Sequence, residues 1–181
     1  MSSQFGQDEW VIRTLQGMRN GVFLDIGAGD PVQGSNTVRL ERDFDWLGVL
    51  CDIETHDALR EQRVSDVHGD AFAVNWHDKC LRIARNGRID YLSLDLEPPP
   101  LTLLALTLLP LSEVRFTVAT IEHDAYRDNG TIRAAMRAIM LHHGYTLMAA
   151  DRGMTINGQS LAIDDWWVDT TAPAFKHHEA P

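Results

Sequence analysis

Val22-Phe23-Leu24-Asp25-Ile26-Gly27-Ala28-Gly29 decides the fold. A short apolar run that breaks into Gly-x-Gly is how a strand buried in a parallel sheet ends in a tight turn. The two glycines allow both the turn and a close backbone approach to a ligand. Upstream, residues 6–18 put Val11, Leu15 and Met18 on one helical face, and Asn20-Gly21 stops that helix before the strand. Downstream, Ser35 opens a crossover helix that continues to Phe44, since a capping residue precedes a run of helix formers. Residues 46–51 read as a second strand, 55–63 as a helix and 64–68 as a third strand.

Two further strands, 89–96 and 114–121, each run into acids: Asp95 and Glu97 at the end of the first, Glu122 after the second. Between them the Leu-rich stretch 101–111 is too short to span a membrane and reads as a buried helix. Pro98-Pro99-Pro100 predicts a stiff loop before it, because proline disfavours a helix starting directly off the strand. Ile132, Ala135, Met136, Ile139 and Met140 recur at helical spacing, with Gly144 as the stop. Residues 145–149 and 161–168 read as closing strands turned through Asn157-Gly158. The sum is an α/β protein, a Rossmann-like doubly wound sheet of about seven strands, mainly parallel, with a C-terminal antiparallel hairpin. Residues 1–170 make one domain, and 171–181 are expected to be a flexible tail with a solvated His177-His178 pair.

Composition narrows the function. A chain of 181 residues with 44% hydrophobic and 23% charged residues has enough apolar surface for a core. The formal charge of −10 argues against nucleic acid, whose backbone is bound by neutralising phosphates with Lys and Arg. Two cysteines and no signal-peptide pattern at the N-terminus point to a reducing cytoplasm, with no membrane contact. Gly-x-Ser-x-Gly, Walker and Cys-x-x-Cys patterns are absent, which removes the hydrolase, kinase and zinc readings. Nothing in the sequence sets the oligomeric state.

In doubly wound sheets ligands sit outside the carboxyl ends of the strands. The turn Asp25-Ile26-Gly27-Ala28-Gly29-Asp30 lies there and suggests a nucleotide-like ligand. Asp52, followed by Ile53, ends the second strand, where an acid accepts both hydroxyls of a ribose. Asp70-Ala71 follows the third strand, placed for an adenine edge. A pyrophosphate cofactor would call for a third glycine where Val32 stands, so NAD is disfavoured. A sulfonium and an ammonium, by contrast, are attracted by carboxylates such as Asp25 around the turn.

The succession Ser3-Gln4-Phe5-Gly6-Gln7-Asp8, Phe23 to Gly29, Ser35-Asn36-Thr37, Leu40-Glu41, Asp90 to Glu97 and Ile121-Glu122-His123 resembles the FkbM-type methyltransferase family. That resemblance implies methyl transfer from S-adenosylmethionine to a hydroxyl of a small molecule such as a sugar or natural product. It implies cofactor contacts at Asp25, Gly27, Gly29, Asp52 and Asp70, with Ser35, Asn36 and Thr37 near the same pocket. Ala28, Ile53 and Ala71, their neighbours in the chain, and Asp95 at the end of the strand 89–96 complete the predicted cofactor set. The pattern departs from the family at Pro98-Pro99-Pro100, where members more often continue with glycine.

Asp95, Glu97, Glu122 and His123 are the expected catalytic groups, predicted to converge from two neighbouring strand ends. Methylating a hydroxyl requires removal of its proton, and His123 is the first choice of base, since a free imidazole titrates near neutrality. In an alternative reading Asp95, Glu122 and His123 hold Mg²⁺ or another divalent cation that acidifies the hydroxyl. Against both stands a noncatalytic module that keeps a cofactor or nucleotide pocket without turnover. The remaining histidines fall near predicted helix ends, and Trp166-Trp167 are read as packing.

Overall fold

The structure is a computed structural model that describes residues 3–156 and 158–178, the last three by backbone only. Its seven strands are β1 (Val22–Ile26), β2 (Leu47–Cys51), β3 (Asp66–His68), β4 (Arg88–Leu94), β5 (Arg115–Glu122), β6 (Thr146–Ile156) and β7 (Gln159–Val168). They lie in the order β3-β2-β1-β4-β5-β7-β6. The first five pair in parallel, and β7 runs antiparallel to both β5 and β6. Six α-helices accompany them: α1 (Gln7–Thr14), α2 (Val38–Phe44), α3 (His56–Gln62), α4 (Trp76–Ile83), α5 (Pro99–Leu108) and α6 (Thr131–His142).

All five residues of β1 are buried, which is why the deciding stretch is an apolar run without alternation. Its side chains divide between two cores. Leu24 and Ile26 join Leu92, Leu94, Ile121 and Trp167 on the face that also holds Leu106, Met136 and Met140 from α5 and α6. Phe23 joins Leu50, Tyr91 and Val118 on the face covered by Val11, Leu40 and Leu59 from α1, α2 and α3. The chain leaves β1 toward β2 and β3, then crosses back to β4 on the other side of β1. The point of reversal therefore lies between β1 and β4, and there the crevice opens.

Three expectations change. Helix α5 begins at Pro99 with Pro98 at its cap, so the prolines start the helix instead of holding it off. In the first turn proline forfeits only an N–H that has no intrahelical partner, and its fixed φ suits the helix. Helix α4 was not foreseen. Asn75 caps it by accepting from the Asp78 N–H at 3.2 Å, and Trp76 and Cys80, four apart, are buried. The segment after Thr170 does not fray at once: Ala172 is fully buried, Pro173–His178 forms a 3-10 helix, and Ala174 and Phe175 pack on the second core. Asn157, residues 179–181 and the side chains of His177 and His178 lie outside the described residues.

Candidate functional site

The Gly27 turn packs the end of β1 against the segment that follows β4. Gly27 has φ +84°, and a Cβ there would fall 1.5 Å from the carbonyl oxygen of Asp95. Only glycine lets the two chains meet, and that contact aligns the end of β1 with the segment carrying Asp95. A cavity of about 180 Å³ opens beside the turn, lined by Gly27, Ala28, Gly29, Asp30, Asn36 and Asp95 and by the N-terminal residues Gln4 and Gln7. Asn36 donates to the Ser93 hydroxyl at 3.0 Å, while its Oδ1 is buried without a partner. An unpaired buried acceptor beside a cavity is costly unless a ligand donor meets it.

Other predicted cofactor residues hold the frame. Asp25 is buried and accepts from the Thr37 hydroxyl at 2.6 Å; burial raises its pKa, opposed by Thr37, Ser93 and Arg63. It therefore pins α2 to β1 and does not face the cavity. Ser35 accepts the Thr37 and Val38 N–H groups, capping the start of α2, and receives Arg63 Nη1 at 3.3 Å. Arg63, buried, is bound in turn to the buried Glu41 at 2.9 Å. Asp52 accepts from the Gly29, Glu54 and Thr55 N–H groups at 2.8 to 3.0 Å, which leaves about one of a carboxylate's four lone-pair sites. Ile53 beside it is 71% exposed. Asp70 is exposed on the loop after β3, and Ala71 is buried in the core. Burial pushes the Cys51 thiol up to about 12, and the charges of Asp52, Asp70 and Asp25 add to it, so the three acids share one corner of the sheet.

A second cavity, about 310 Å³, adjoins the first, and Gln4 and Asp95 line both. It also receives Glu97, Glu122, Asp124, Tyr126 and Arg127, and an apolar wall from Phe5, Met154, Ile156, Leu161 and Ile163. Asp95 and Glu122 are hydrogen-bonded to each other, and both titrate above the usual carboxylate range. Burial is the main cause for each, followed by Asp164 for Asp95 and by Asp95 itself for Glu122. Two buried carboxyls in contact cannot both ionise cheaply, so the pair keeps one proton between them. Asp164 lies opposite Glu122 in the β5–β7 register and accepts from Gln7 Nε2 at 2.7 Å; burial pushes it up to about 6.

His123 is not part of this group. Glu122 and His123 are consecutive at a strand end, so their side chains leave on opposite faces of the sheet. Glu122 shares its face with Asp164, whereas the His123 ring is buried with Nε2 3.5 Å from Asp165 and 3.7 Å from Asp151. Its Nδ1 accepts the Ala125 N–H at 3.2 Å. Asp165 in turn takes two hydrogen bonds from Arg137, at 2.7 and 2.8 Å; despite burial, Arg137 and His123 hold its carboxyl well below the usual range. The expected Asp95, Glu122 and His123 set for a divalent cation is therefore not assembled. Carboxylate oxygens of Glu97, Glu122 and Asp124 do converge, within 4.8 Å of one another.

Sequence reasoning missed the part that the N-terminal strap and the side chains of the expected hairpin play in lining the site. Ser3 bridges to Gly34, its hydroxyl donates to Asp8 Oδ1 at 2.7 Å, and the strap so fixed lays Gln4 and Phe5 over the crevice. The quoted Ser3 to Asp8 motif was the available signal. For Met154, Ile156, Leu161 and Ile163 there is no local signal, since β7 meets the acids through its pairing with β5, and β6 follows through its pairing with β7.

Comparison with known proteins agrees with this architecture. No protein-family model matches the sequence, and no curated protein matches it. Solved structures do resemble it. An O-methyltransferase from Bacillus cereus in complex with SAH superposes with a TM-score of 0.58 at 14% identity, over 93% of this chain and 82% of that one. TYW2 of M. jannaschii in complex with AdoMet gives 0.52 at 15%, over 93% and 76%. An O-methyltransferase of Klebsiella pneumoniae described as putative gives 0.53 at 16%, over 90% and 79%. The fold is that of the class I methyltransferases.

Proposed function

We propose that this chain is an S-adenosylmethionine-dependent methyltransferase that methylates a hydroxyl of a small molecule. The observation that carries the proposal is the pair of adjoining cavities at the switch point, one beside the Gly27 turn and one lined by the Asp95 and Glu122 carboxyls, with Gln4 and Asp95 at their junction. The FkbM-like motifs point the same way, as do the structural neighbours whose descriptions name AdoMet or SAH.

The residues present fit the cofactor. The turn at Gly27 and Gly29 supplies a cradle free of side chains, and the unpaired Asn36 Oδ1 offers an acceptor to an ammonium. Asp52 keeps a lone pair for a ribose hydroxyl, and the exposed Ile53 offers an apolar face to a base, with Asp70 and Ala71 at the outer edge. When bound, the cofactor supplies a methyl group on a sulfonium, already activated for transfer. The protein's part is to orient the acceptor and take its proton. Asp95 and Glu122, sharing one proton, are the groups placed for this, because a carboxylate with a raised pKa is a better base than an ordinary one. His123 supports the far face through Asp165 and Arg137.

Calorimetric titration of S-adenosylhomocysteine into the purified protein, with NAD in parallel and an EDTA-treated control, tests the reading. Saturable binding of the first ligand alone is expected. Folded protein that binds neither ligand would refute the methyltransferase, and binding without turnover across an acceptor screen would favour the noncatalytic module.

A further inference from the structure

A third cavity, about 280 Å³, lies at the other end of the sheet from the Gly27 crevice, against the amino ends of β4 and β5. The seven residues of β4 separate the two sites by roughly 20 Å. Met18, Ala172, Pro173 and Ala174 supply its apolar lining, and Arg85, Asn86, Arg88, Asp90 and Thr117 its polar lining. Thr117 is 2% exposed, and its hydroxyl oxygen is buried without a partner. In the β4–β5 register Ile89 stands opposite Phe116 and Tyr91 opposite Val118, which puts Asp90 beside Thr117 on the same face. Asp90 Oδ2 accepts the Val22 N–H at 2.9 Å, and among the described residues Oδ1 takes no bond. A buried hydroxyl left unpaired beside a cavity is costly unless a ligand atom meets it.

Unlike charges are also held apart here. Arg88 precedes Asp90 by two residues on one strand, so both side chains leave the same face, from Cα atoms about 6.6 Å apart. Arg88 Nη1 is tied to Asp169 at 2.8 Å and Arg85 Nη1 to the Asn20 carbonyl, each with guanidinium donors left over. Burial raises the Asp90 pKa, opposed by the Val22 N–H and by the charges of Arg85 and Arg88, so both guanidiniums act on this carboxyl. Yet among the described residues neither of them forms an ion pair with it.

We infer that this cavity binds a zwitterionic α-amino acid with an apolar side chain, at a site separate from the methyl-transfer crevice. The ammonium donates to Asp90 Oδ1 and the Thr117 hydroxyl, the carboxylate accepts from Arg85 and Arg88, and the side chain lies on Met18, Ala172 and Ala174. One carbon separates ammonium from carboxylate, so with hydrogen bonds of about 2.8 Å at each end the molecule bridges the gap between the two charges. A simple anion would be opposed by Asp90, and a simple amine by two guanidiniums. The volume stands at the lower edge of the usual range for ligand sites, about 300 Å³ upward, which suits a molecule of this size.

The test is calorimetry on the full chain with L-leucine, with 3-methylbutylamine, which lacks the carboxylate, and with 4-methylpentanoate, which lacks the ammonium. L-Leucine is expected to bind saturably, and each analogue at least about tenfold more weakly. Arg85→Gln, at an exposed position, and Thr117→Val, close in shape to the native side chain, should each weaken leucine by about tenfold while leaving thermal melts without ligand near those of the native protein. Folded protein that does not bind leucine, an analogue that binds as well as leucine, or binding untouched by both substitutions would overturn the inference. So would displacement of leucine by S-adenosylhomocysteine, which would put the amino acid in the crevice instead. The leucine titration is independent of methyl transfer, so its failure and that of the methyltransferase reading are distinguishable.

Discussion

Replacing Gly27 by alanine isolates the contact on which the site is built. Two costs add. A non-glycine residue at φ +84° pays roughly 1–2 kcal/mol for the left-handed conformation. The new Cβ would also sit 1.5 Å from the Asp95 carbonyl oxygen, so β1 and the chain after β4 would have to part by about another 1.5 Å to reach the shortest separation real Cβ atoms show. That displacement strains the 2.9 Å bond from the Asp95 N–H to the Ile26 carbonyl, and overpacking of this kind costs about 1–3 kcal/mol, with about 1 kcal/mol more for the bond. The total is about 3–6 kcal/mol. Gly29 is the internal control: it too has positive φ, at +60°, but its Cβ would meet nothing within 4 Å, so Gly29→Ala should cost only the conformational part. Thermal melts should place Gly29→Ala about 2–8 °C below the native protein and Gly27→Ala about 6–24 °C below it. Equal losses in the two variants would refute the claim that close approach to Asp95, and not turn conformation, is what requires glycine at 27.

Glu122 and Asp95 bind protons more tightly folded than unfolded, so the stability they contribute is complete below the ordinary carboxylate range and is lost as pH rises through their raised values. Asp164, pushed up to about 6, acts in the same direction. Melts from pH 5 to 8 should therefore fall in the native protein and fall less in Glu122→Gln, and the same substitution should lower methyl transfer by about 10²- to 10⁴-fold. A larger fall in the variant would contradict the shared proton. His123→Asn should reduce stability by about 1–3 kcal/mol while leaving the pH profile of methyl transfer in place, because the ring faces Asp165 and not the cavity; a shifted profile would return His123 to the chemistry. Arg63→Ala strands the buried Glu41 and should cost about 3–5 kcal/mol by urea unfolding, with Arg63→Met plus Glu41→Leu costing less.

What the sequence determined by itself was local: an apolar run wherever a strand is buried on both faces, Gly-x-Gly where the chain must turn tightly, and 3.6-residue spacing in α6. These signals reach only a few residues, yet they sufficed for the sheet, its closing hairpin and the Gly27 turn, because each is dictated by backbone geometry and burial at one place in the chain. Asn75 with Trp76 and Cys80 is an equally local signal for α4, and a proline in the first turn, as at Pro99, starts a helix as readily as it breaks one. The tertiary structure decided what no local pattern encodes, namely which face of a strand each acid occupies and which distant segments meet it. The side-chain period of two sends Glu122 to Asp95 and His123 to Asp165, and the start of α2 comes back to β1, where the Thr37 hydroxyl donates to Asp25. Phe5 and Ile156 share a cavity though about 150 residues apart in the chain, since burial and pairing free energies act in space and the sequence records only the residues they act on.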